Sequence, residues 1–210
     1  MDTYKETFET WNKVASVYQD KFMDMDYYNE SYDFVCNAIQ KADADLLEIG
    51  CGPGNITKYL LSRRPEWNIT GVDISPNMIE LARKNNPKAH FKVMDARAIA
   101  ELGSKYDGII CGFCLPYLSR KDAEKFLADS GNLLNSDGIL YLSFVEGKTV
   151  ESGFKTSKTG DRVYFHYYHL DELVQKLEEL KFTNLKTIKV QYPISETESE
   201  EHTILIVKKN

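Results

Sequence analysis

Apolar and polar positions change rhythm along the chain, and those changes divide it into elements. Phe8, Trp11, Val14, Ala15, Tyr18 and Phe22 recur every three or four residues, an aromatic stripe down one side of an N-terminal helix. Tyr32, Val35, Cys36 and Ile39 repeat the spacing in a second helix, predicted over residues 30–40. Short apolar runs then alternate with helical patterns. Leu46 to Ile49 read as a strand ending in glycines, after which Ile56, Tyr59 and Leu60 resume helical spacing. A second strand, Asn68 to Val72, stops at Asp73. Ser75 and Pro76 supply an N-cap and a first helical residue for the next helix, which turns Met78, Ile79, Leu81 and Ala82 inward and ends at Asn86-Pro87. His90 to Met94 and Asp107 to Phe113 are the third and fourth strands. The fourth is apolar through Ile109, Ile110 and Cys111, as a strand covered on both faces should be. Ser119 to Asp122 resembles a capping box opening a helix to Leu134, and Asp137-Gly138 turns the chain into a fifth strand, Ile139 to Val145.

After Val145 the alternation stops. Residues 147–161 are polar, with Gly153 and Gly160 as turn points, and lead into an aromatic strand from Val163 to Tyr168. A last helix, Asp171 to Leu180, precedes two strands, Leu185 to Tyr192 and Thr203 to Val207, joined by the acidic run at 196–201, which reads as a solvated loop. Strands alternating with helices imply a parallel sheet with helices on both faces, and two strands with no helix between them pair antiparallel. The fold class expected is therefore α/β: a doubly wound, mostly parallel, Rossmann-like seven-stranded sheet ending in an antiparallel hairpin. A single domain is expected, with an N-terminal helical cap over 1–43, a ligand-binding core over 44–145, a substrate-side insertion over 146–168 and a C-terminal helix and hairpin over 169–210.

Composition narrows the function. The 210 residues carry 26 Lys and Arg against 32 Asp and Glu, a formal net charge of −6. A surface with that sign does not suit a polyphosphate backbone, so nucleic acid is not the expected partner. No apolar run reaches the roughly 18 to 20 residues of a membrane span, and the charged stretch from Met1 to Asp20 does not read as a signal peptide. Cys36, Cys51, Cys111 and Cys114 are few for the length and sit in apolar or glycine-rich runs, as thiols kept reduced in the cytoplasm would. Cys111 and Cys114 have the spacing of a redox or zinc pair, but no second pair or nearby histidine completes a metal site, and no metal is expected.

In an open parallel sheet a ligand lies beyond the carboxyl ends of the strands. Those positions read Gly50-Cys51-Gly52-Pro53-Gly54, then Asp73, then Asp95, then Cys111 to Cys114. Glycines at alternate positions let the backbone approach a ligand closely. Asp73, nineteen residues after Gly54 (73 − 54), stands where a carboxylate accepts both ribose hydroxyls of an adenosine and excludes a 2′-phosphate. Asp95, or the amide of Ala96, stands where the adenine amine would be read. The glycines follow G-x-G-x-G with Asn55 in the sixth place, a departure from the G-x-G-x-x-G of nicotinamide sites.

These residues resemble the class I S-adenosylmethionine-dependent methyltransferases, in their small-molecule branch of type 11 and type 25 domains. Leu47 to Asn55 is similar to the family's first motif, Gly71 to Met78 to its second, and Asp95-Ala96 and Tyr106-Asp107 to its third and fourth; the likeness runs over about residues 8–145. It implies S-adenosylmethionine as cofactor. The loop of Glu48, Gly50, Cys51, Gly52 and Gly54 would then cradle the methionine part, Asp73 would bind the ribose, and Ile74 and Met78 would line the adenine. Asp95 and Ala96 would read the adenine amine, Cys111 would pack at the methionine end, and Tyr18 would close over the cofactor. Cys114-Leu115-Pro116-Tyr117 departs from the Asn-Pro-Pro-Tyr tetrad of relatives acting on nucleobases or glutamine, and Lys181 stands where relatives end a helix with glycine.

For the acceptor, strand alternation puts Tyr164, His166 and Tyr168 on one face, the wetter one, expected to meet the cleft beside Phe113 and Tyr117. His166 is the first candidate for a catalytic base, and Tyr117 the hydrogen-bonding alternative. The expected function is methyl transfer to a small-molecule acceptor. The alternatives are a nicotinamide-dependent oxidoreductase and a non-catalytic module that binds an adenosyl ligand.

Overall fold

The structure, a computed structural model, describes residues 3–210, so the first two residues of the expected cap lie outside the described residues. The aromatic stripe forms two helices, α1 (Thr3–Lys13) and α2 (Ala15–Phe22), bent at Val14. The bend falls beside Asn12, whose side-chain oxygen accepts from Ser75 Oγ (2.8 Å) and whose carbonyl accepts from Asn77 Nδ2 (2.7 Å). Periodicity cannot report such a bond, which ties this helix to an element some sixty residues on. After α3 (Asn29–Ala38) the alternation proceeds as β1 (Asp45–Ile49), α4 (Asn55–Arg63), β2 (Asn68–Asp73), α5 (Pro76–Asn85), β3 (His90–Val93) and β4 (Tyr106–Cys111), with a 3-10 helix at 96–102 in place of a third crossover α-helix. Ser75 caps α5 by accepting from the Met78 N–H at 3.1 Å, and Ser119 caps α6 (Arg120–Leu133) by accepting from the Asp122 N–H at 3.2 Å.

β5 (Leu134–Val145) begins earlier than expected, because the Asp137-Gly138 turn is absorbed within the strand, with Asp137 at φ 63. The segment 147–168 differs more. Its polar part contains a strand, β6 (Gly153–Thr156), which pairs antiparallel with β7 (Arg162–Phe165) in a separate two-stranded sheet, and β7 ends at Phe165 rather than Tyr168. Beyond α7 (Leu170–Glu179), β8 (Phe182–Pro193) and β9 (Ser199–Lys209) are longer than predicted and carry Ser199 to Glu201 of the acidic run into the sheet, opposite Pro193 to Gln191.

The main sheet has seven strands in the order β3-β2-β1-β4-β5-β9-β8. The first five run parallel, and β9 pairs antiparallel with both β5 and β8. This is the doubly wound, mostly parallel arrangement with a terminal hairpin that the alternation predicted. One buried cluster joins Phe126 and Leu127 of α6 and Leu173 and Leu177 of α7 to Leu47, Ile109 and Leu140 of the sheet. A second joins Val35 and Cys36 of α3 and Leu60 of α4 to Leu46, Ile110 and Tyr141. Neighbouring residues of β1, β4 and β5 fall in different clusters, as alternation in a sheet covered on both faces requires. Connections lead from β1 outward to β3 and then back across to β4 and β5, which leaves a crevice beyond the carboxyl ends of β1 and β4. Among the described residues no helix is long and apolar enough to cross a membrane.

Candidate active site

That crevice holds a cavity with about 140 Å3 open to the centres of water-sized molecules. Its floor is made by residues that follow the strands: Gly50 and Gly52 after β1, Asp73 and Ile74 at the end of β2, Met94 to Ala96 after β3, and Gly112 to Cys114 after β4. Met78 closes one side, Tyr117 and Leu118 the other, and Tyr4, Thr7, Phe8, Trp11 and Tyr18 of α1 and α2 form the roof.

The turn after β1 needs its glycines. The Gly50 and Cys51 N–H groups both donate to the Val72 carbonyl, at 2.8 and 3.0 Å, which folds the loop over the end of β2. Gly50 has φ +66, and a Cβ there would lie 2.7 Å from that of Cys114; Gly54 has φ +81 at the start of α4, with Asn86 Nδ2 2.4 Å from where its Cβ would be. Any side chain at either place would strain the backbone and push the loop off the strand ends. The loop delivers the Gly52 N–H to Asp73 Oδ2 (2.9 Å), while the Ser75 N–H donates to Oδ1 (2.8 Å). Burial raises the Asp73 carboxyl above its usual range, and these two bonds oppose that rise. At Asp95 burial also works upward, but the hydrogen bonds and charge of Arg97, 2.5 Å away, outweigh it and hold the carboxyl low; Arg97 in turn lies 4.0 Å over the Tyr4 ring.

Beneath the loop lies Glu48, wholly buried. Its Oε2 accepts from the Thr57 hydroxyl, its Oε1 has no hydrogen-bond partner, and burial pushes its pKa up to about 8. The roof has an orphan of its own, Trp11 Nε1, on a ring packed edge-on to Tyr18 (5.6 Å) and Tyr117 (5.4 Å). Buried donors and acceptors normally find partners, so the orphan on Trp11, which lines the cavity, marks a group that a ligand would satisfy. Burial, then the charges of Asp73 and Glu48, hold the Tyr18 hydroxyl above the ordinary phenol range, so it stays protonated.

Of the residues expected to hold cofactor, Tyr18, Gly50, Gly52, Asp73, Ile74, Met78, Asp95 and Ala96 line the cavity. Glu48, Cys51 and Gly54 lie outside its lining. Cys111 is buried at the end of β4, and Cys114 takes the lining position; both are free thiols, and the hydrogen bond to Cys111 together with burial pushes the Cys114 thiol well up. Among the described residues no group of His, Cys, Asp and Glu is arranged to hold a metal.

The acceptor set divides. Phe113 and Tyr117 line the cavity; Tyr164, His166 and Tyr168 do not. The assignment of their face to the cleft needs correction, because it assumed one strand through residue 168. The Tyr164 N–H donates to Thr7 Oγ1 (2.9 Å), fastening β7 to α1, and the His166 N–H donates to the Pro116 carbonyl (2.7 Å) after the strand has ended. It is Phe165, from the opposite face, whose ring meets that of Tyr117 at 5.8 Å. The His166 imidazole is held below its usual pKa by burial, then by the Arg120 charge, and Tyr168 is buried in the core with its hydroxyl donating to the Leu118 carbonyl (2.6 Å). Sequence reasoning left Tyr4, Thr7, Met94 and Leu118 out of the site and had Phe8 only as a stripe residue, while Gly112 and Cys114 stood within the strand-end run Cys111 to Cys114. Met94 directly precedes Asp95, so extending that strand-end motif by one residue finds it; nothing local marks Tyr4 or Thr7.

Residues 46–138 match a protein family described as a methyltransferase domain. A malonyl-[acyl-carrier protein] O-methyltransferase of Acetivibrio thermocellus is 38% identical over 105 residues, 49% of this chain and 36% of that protein. The chain spans half or less of the curated relatives it matches first, from 50% down to 21% of their length. Among solved structures, magnesium protoporphyrin IX methyltransferase of Synechocystis PCC 6803, with bound S-adenosylmethionine, superimposes with a TM-score of 0.75 at 16% identity, covering 100% of this chain and 98% of that one. An S-adenosylmethionine-dependent methyltransferase of Clostridium acetobutylicum gives 0.71 at 18% identity over 95% of this chain and 99% of the other. The fold is the Rossmann-like methyltransferase fold.

Proposed function

We propose, from a core that matches a methyltransferase domain in sequence and carries the methyltransferase fold, that this chain binds S-adenosylmethionine in its strand-end cavity and transfers the methyl group to a small-molecule acceptor. One observation carries the reading: a turn of three left-handed glycines brings the Gly52 N–H onto the Asp73 carboxylate, both facing one cavity under an aromatic roof. Asp73 has lone pairs left for the ribose hydroxyls. Ile74 and Met78 line the adenine, Asp95 and the Ala96 amide read its amine, and Gly50 and Gly52 of the glycine loop receive the methionine part.

When bound, S-adenosylmethionine supplies a sulfonium methyl group and a neutral thioether as leaving group. The chain then has to align donor and acceptor, shut out water and take up a proton from an acceptor that carries one. Tyr18 and Trp11 exclude water from above, and Phe113 and Tyr117 stand at the acceptor side. With a net charge of −6 the partner is a small molecule rather than nucleic acid or a membrane, and four free cysteines suit the cytoplasm.

Calorimetry should show S-adenosylmethionine and its demethylated product binding more tightly than NADH. Asp73→Ala should lose about a hundredfold, the worth of roughly 2 to 3 kcal/mol of hydrogen bonding to a charged acceptor. Methyl-labelled S-adenosylmethionine incubated with a metabolite extract should label a product, which a purely ligand-sensing module would not do. Tighter binding of NADH, or unchanged affinity in Asp73→Ala, would overturn the reading.

A further inference from the structure

Behind the acceptor wall of the cavity lies a hydrogen-bonded chain. His202 on β9 is buried; its Nδ1 lies 2.7 Å from the Tyr28 hydroxyl, and its Nε2 lies 3.1 Å from Glu200 Oε2. The ring of Tyr192 stacks on His202 at 4.9 Å and 10°, fixing the imidazole plane. The cavity-lining Phe113 touches both inner members, its ring 4.8 Å from His202 and 5.3 Å from Tyr28, and its backbone sits at φ 54, a strained conformation for a bulky residue. At the other end, Glu200 lines a second, more open hollow beside Val145, Glu146, Lys155 and Tyr167. The chain therefore runs from behind the wall of the cavity to a hollow open to solvent.

We infer that Tyr28, His202 and Glu200 form the proton relay for methyl transfer, and that the acceptor carries an ionisable O–H or N–H. This rests on the methyltransferase reading. With Glu200 accepting from His202 Nε2–H, the Nδ1 lone pair accepts the Tyr28 O–H, and the Tyr28 oxygen keeps lone pairs for the acceptor proton. As the acceptor atom X bonds to the methyl carbon, the carbon–sulfur bond breaks and its electron pair stays on sulfur. The X–H proton passes to the Tyr28 oxygen, the Tyr28 proton passes to Nδ1, and the imidazolium is balanced by Glu200 until it releases a proton to the hollow. Tyr28 is the residue placed to touch the acceptor, which requires the Phe113 ring to turn aside; His202 and Glu200 act through it as positioning and proton-accepting groups. The hydrogen bond to His202 and burial set the Glu200 carboxyl against each other, and the bond wins, keeping it ionised.

The test uses methyl-labelled S-adenosylmethionine with a metabolite extract and then the labelled acceptor purified from it. Tyr28→Phe and His202→Gln should lower kcat by about a hundredfold or more, within the usual worth of a general base, with KM for S-adenosylmethionine, its calorimetric affinity and the melting temperature little changed. Glu200→Gln should cost about tenfold. Free imidazole should restore turnover to His202→Gly, and the isosteric but feebly basic pyrazole should not. Retention of kcat in Tyr28→Phe and His202→Gln, equal rescue by both heterocycles, or a fall in cofactor affinity matching the fall in kcat would each overturn the relay while leaving the methyltransferase reading standing. Absence of any label with the unaltered protein would remove that reading and the relay with it.

Discussion

Glu48 shows what burial does to one carboxyl beneath the glycine turn. A buried carboxyl with one oxygen unpartnered is cheaper to hold protonated, hence its rise from 4.5 to about 8. An acid whose pKa is higher folded than unfolded binds more protons in the folded state between the two values. Stability is therefore fully present below about 4.5 and is lost as pH climbs toward about 8, by roughly 3 to 5 kcal/mol over the window. Glu48→Gln keeps a partner for the Thr57 hydroxyl and removes the titration. Its thermal midpoint, measured without ligand from pH 5 to pH 9, should fall less with pH than that of the unaltered protein and exceed it above pH 8. Parallel curves would mean that Glu48 is ionised and satisfied.

At the scale of elements, the end of α7 carries a misfit. Lys181 adopts φ 65, the left-handed position that commonly follows a helix, with its N–H donating to the Glu178 carbonyl at 3.0 Å and its own carbonyl accepting from the Asn210 N–H at 2.9 Å. The expected helix-ending glycine is absent while its conformation is kept, so the lysine bears the strain of its Cβ. Lys181→Gly should raise unfolding free energy in denaturant titration by about 0.5 to 1 kcal/mol, net of the extra freedom glycine has when unfolded. Lys181→Ala should change it by only a few tenths, and equal effects of the two would show that the backbone there is unstrained. The stop was legible in sequence; that the chain would force lysine into it was not, because the requirement comes from docking the C-terminus onto the helix end.

For the whole molecule, the cap over the site is one unit. The stripe helix and the 146–168 insertion are tied together: Glu6 pairs with Arg162 at 2.7 and 3.0 Å, Thr10 Oγ1 donates to the Arg162 carbonyl at 2.7 Å, and Lys13 pairs with Asp161 at 2.7 Å. Together with the Thr7 bond to Tyr164, these bonds join α1 to the small sheet along β7. They should therefore open together. Arg162→Ala should speed amide exchange several-fold in both β7 and α1, although the pair is partly exposed and worth little by itself, and S-adenosylmethionine should slow both through Trp11 and Tyr18. Faster exchange in β7 with α1 unchanged would mean two independent covers.

Local pattern carried the strands, the crossovers, the glycine turn and Asp73, because a period of two or 3.6, a left-handed turn and a fixed strand-to-acid spacing are properties of contiguous residues. Eight of the twelve residues assigned to the cofactor consequently line the cavity. The acceptor side was decided in three dimensions. His166 read as exposed chemistry on an aromatic strand, and the strand's early end sent it behind the cavity wall. His202, between the acidic run and the predicted last strand, drew no role from the sequence; the longer hairpin put Glu200, His202, Ile204 and Ile206 on one face and brought Tyr28 against it across 174 positions of sequence. A hydrogen bond between residues so distant leaves no trace in the spacing of either, since it exists only once the sheet has ordered both strands and the loop above them.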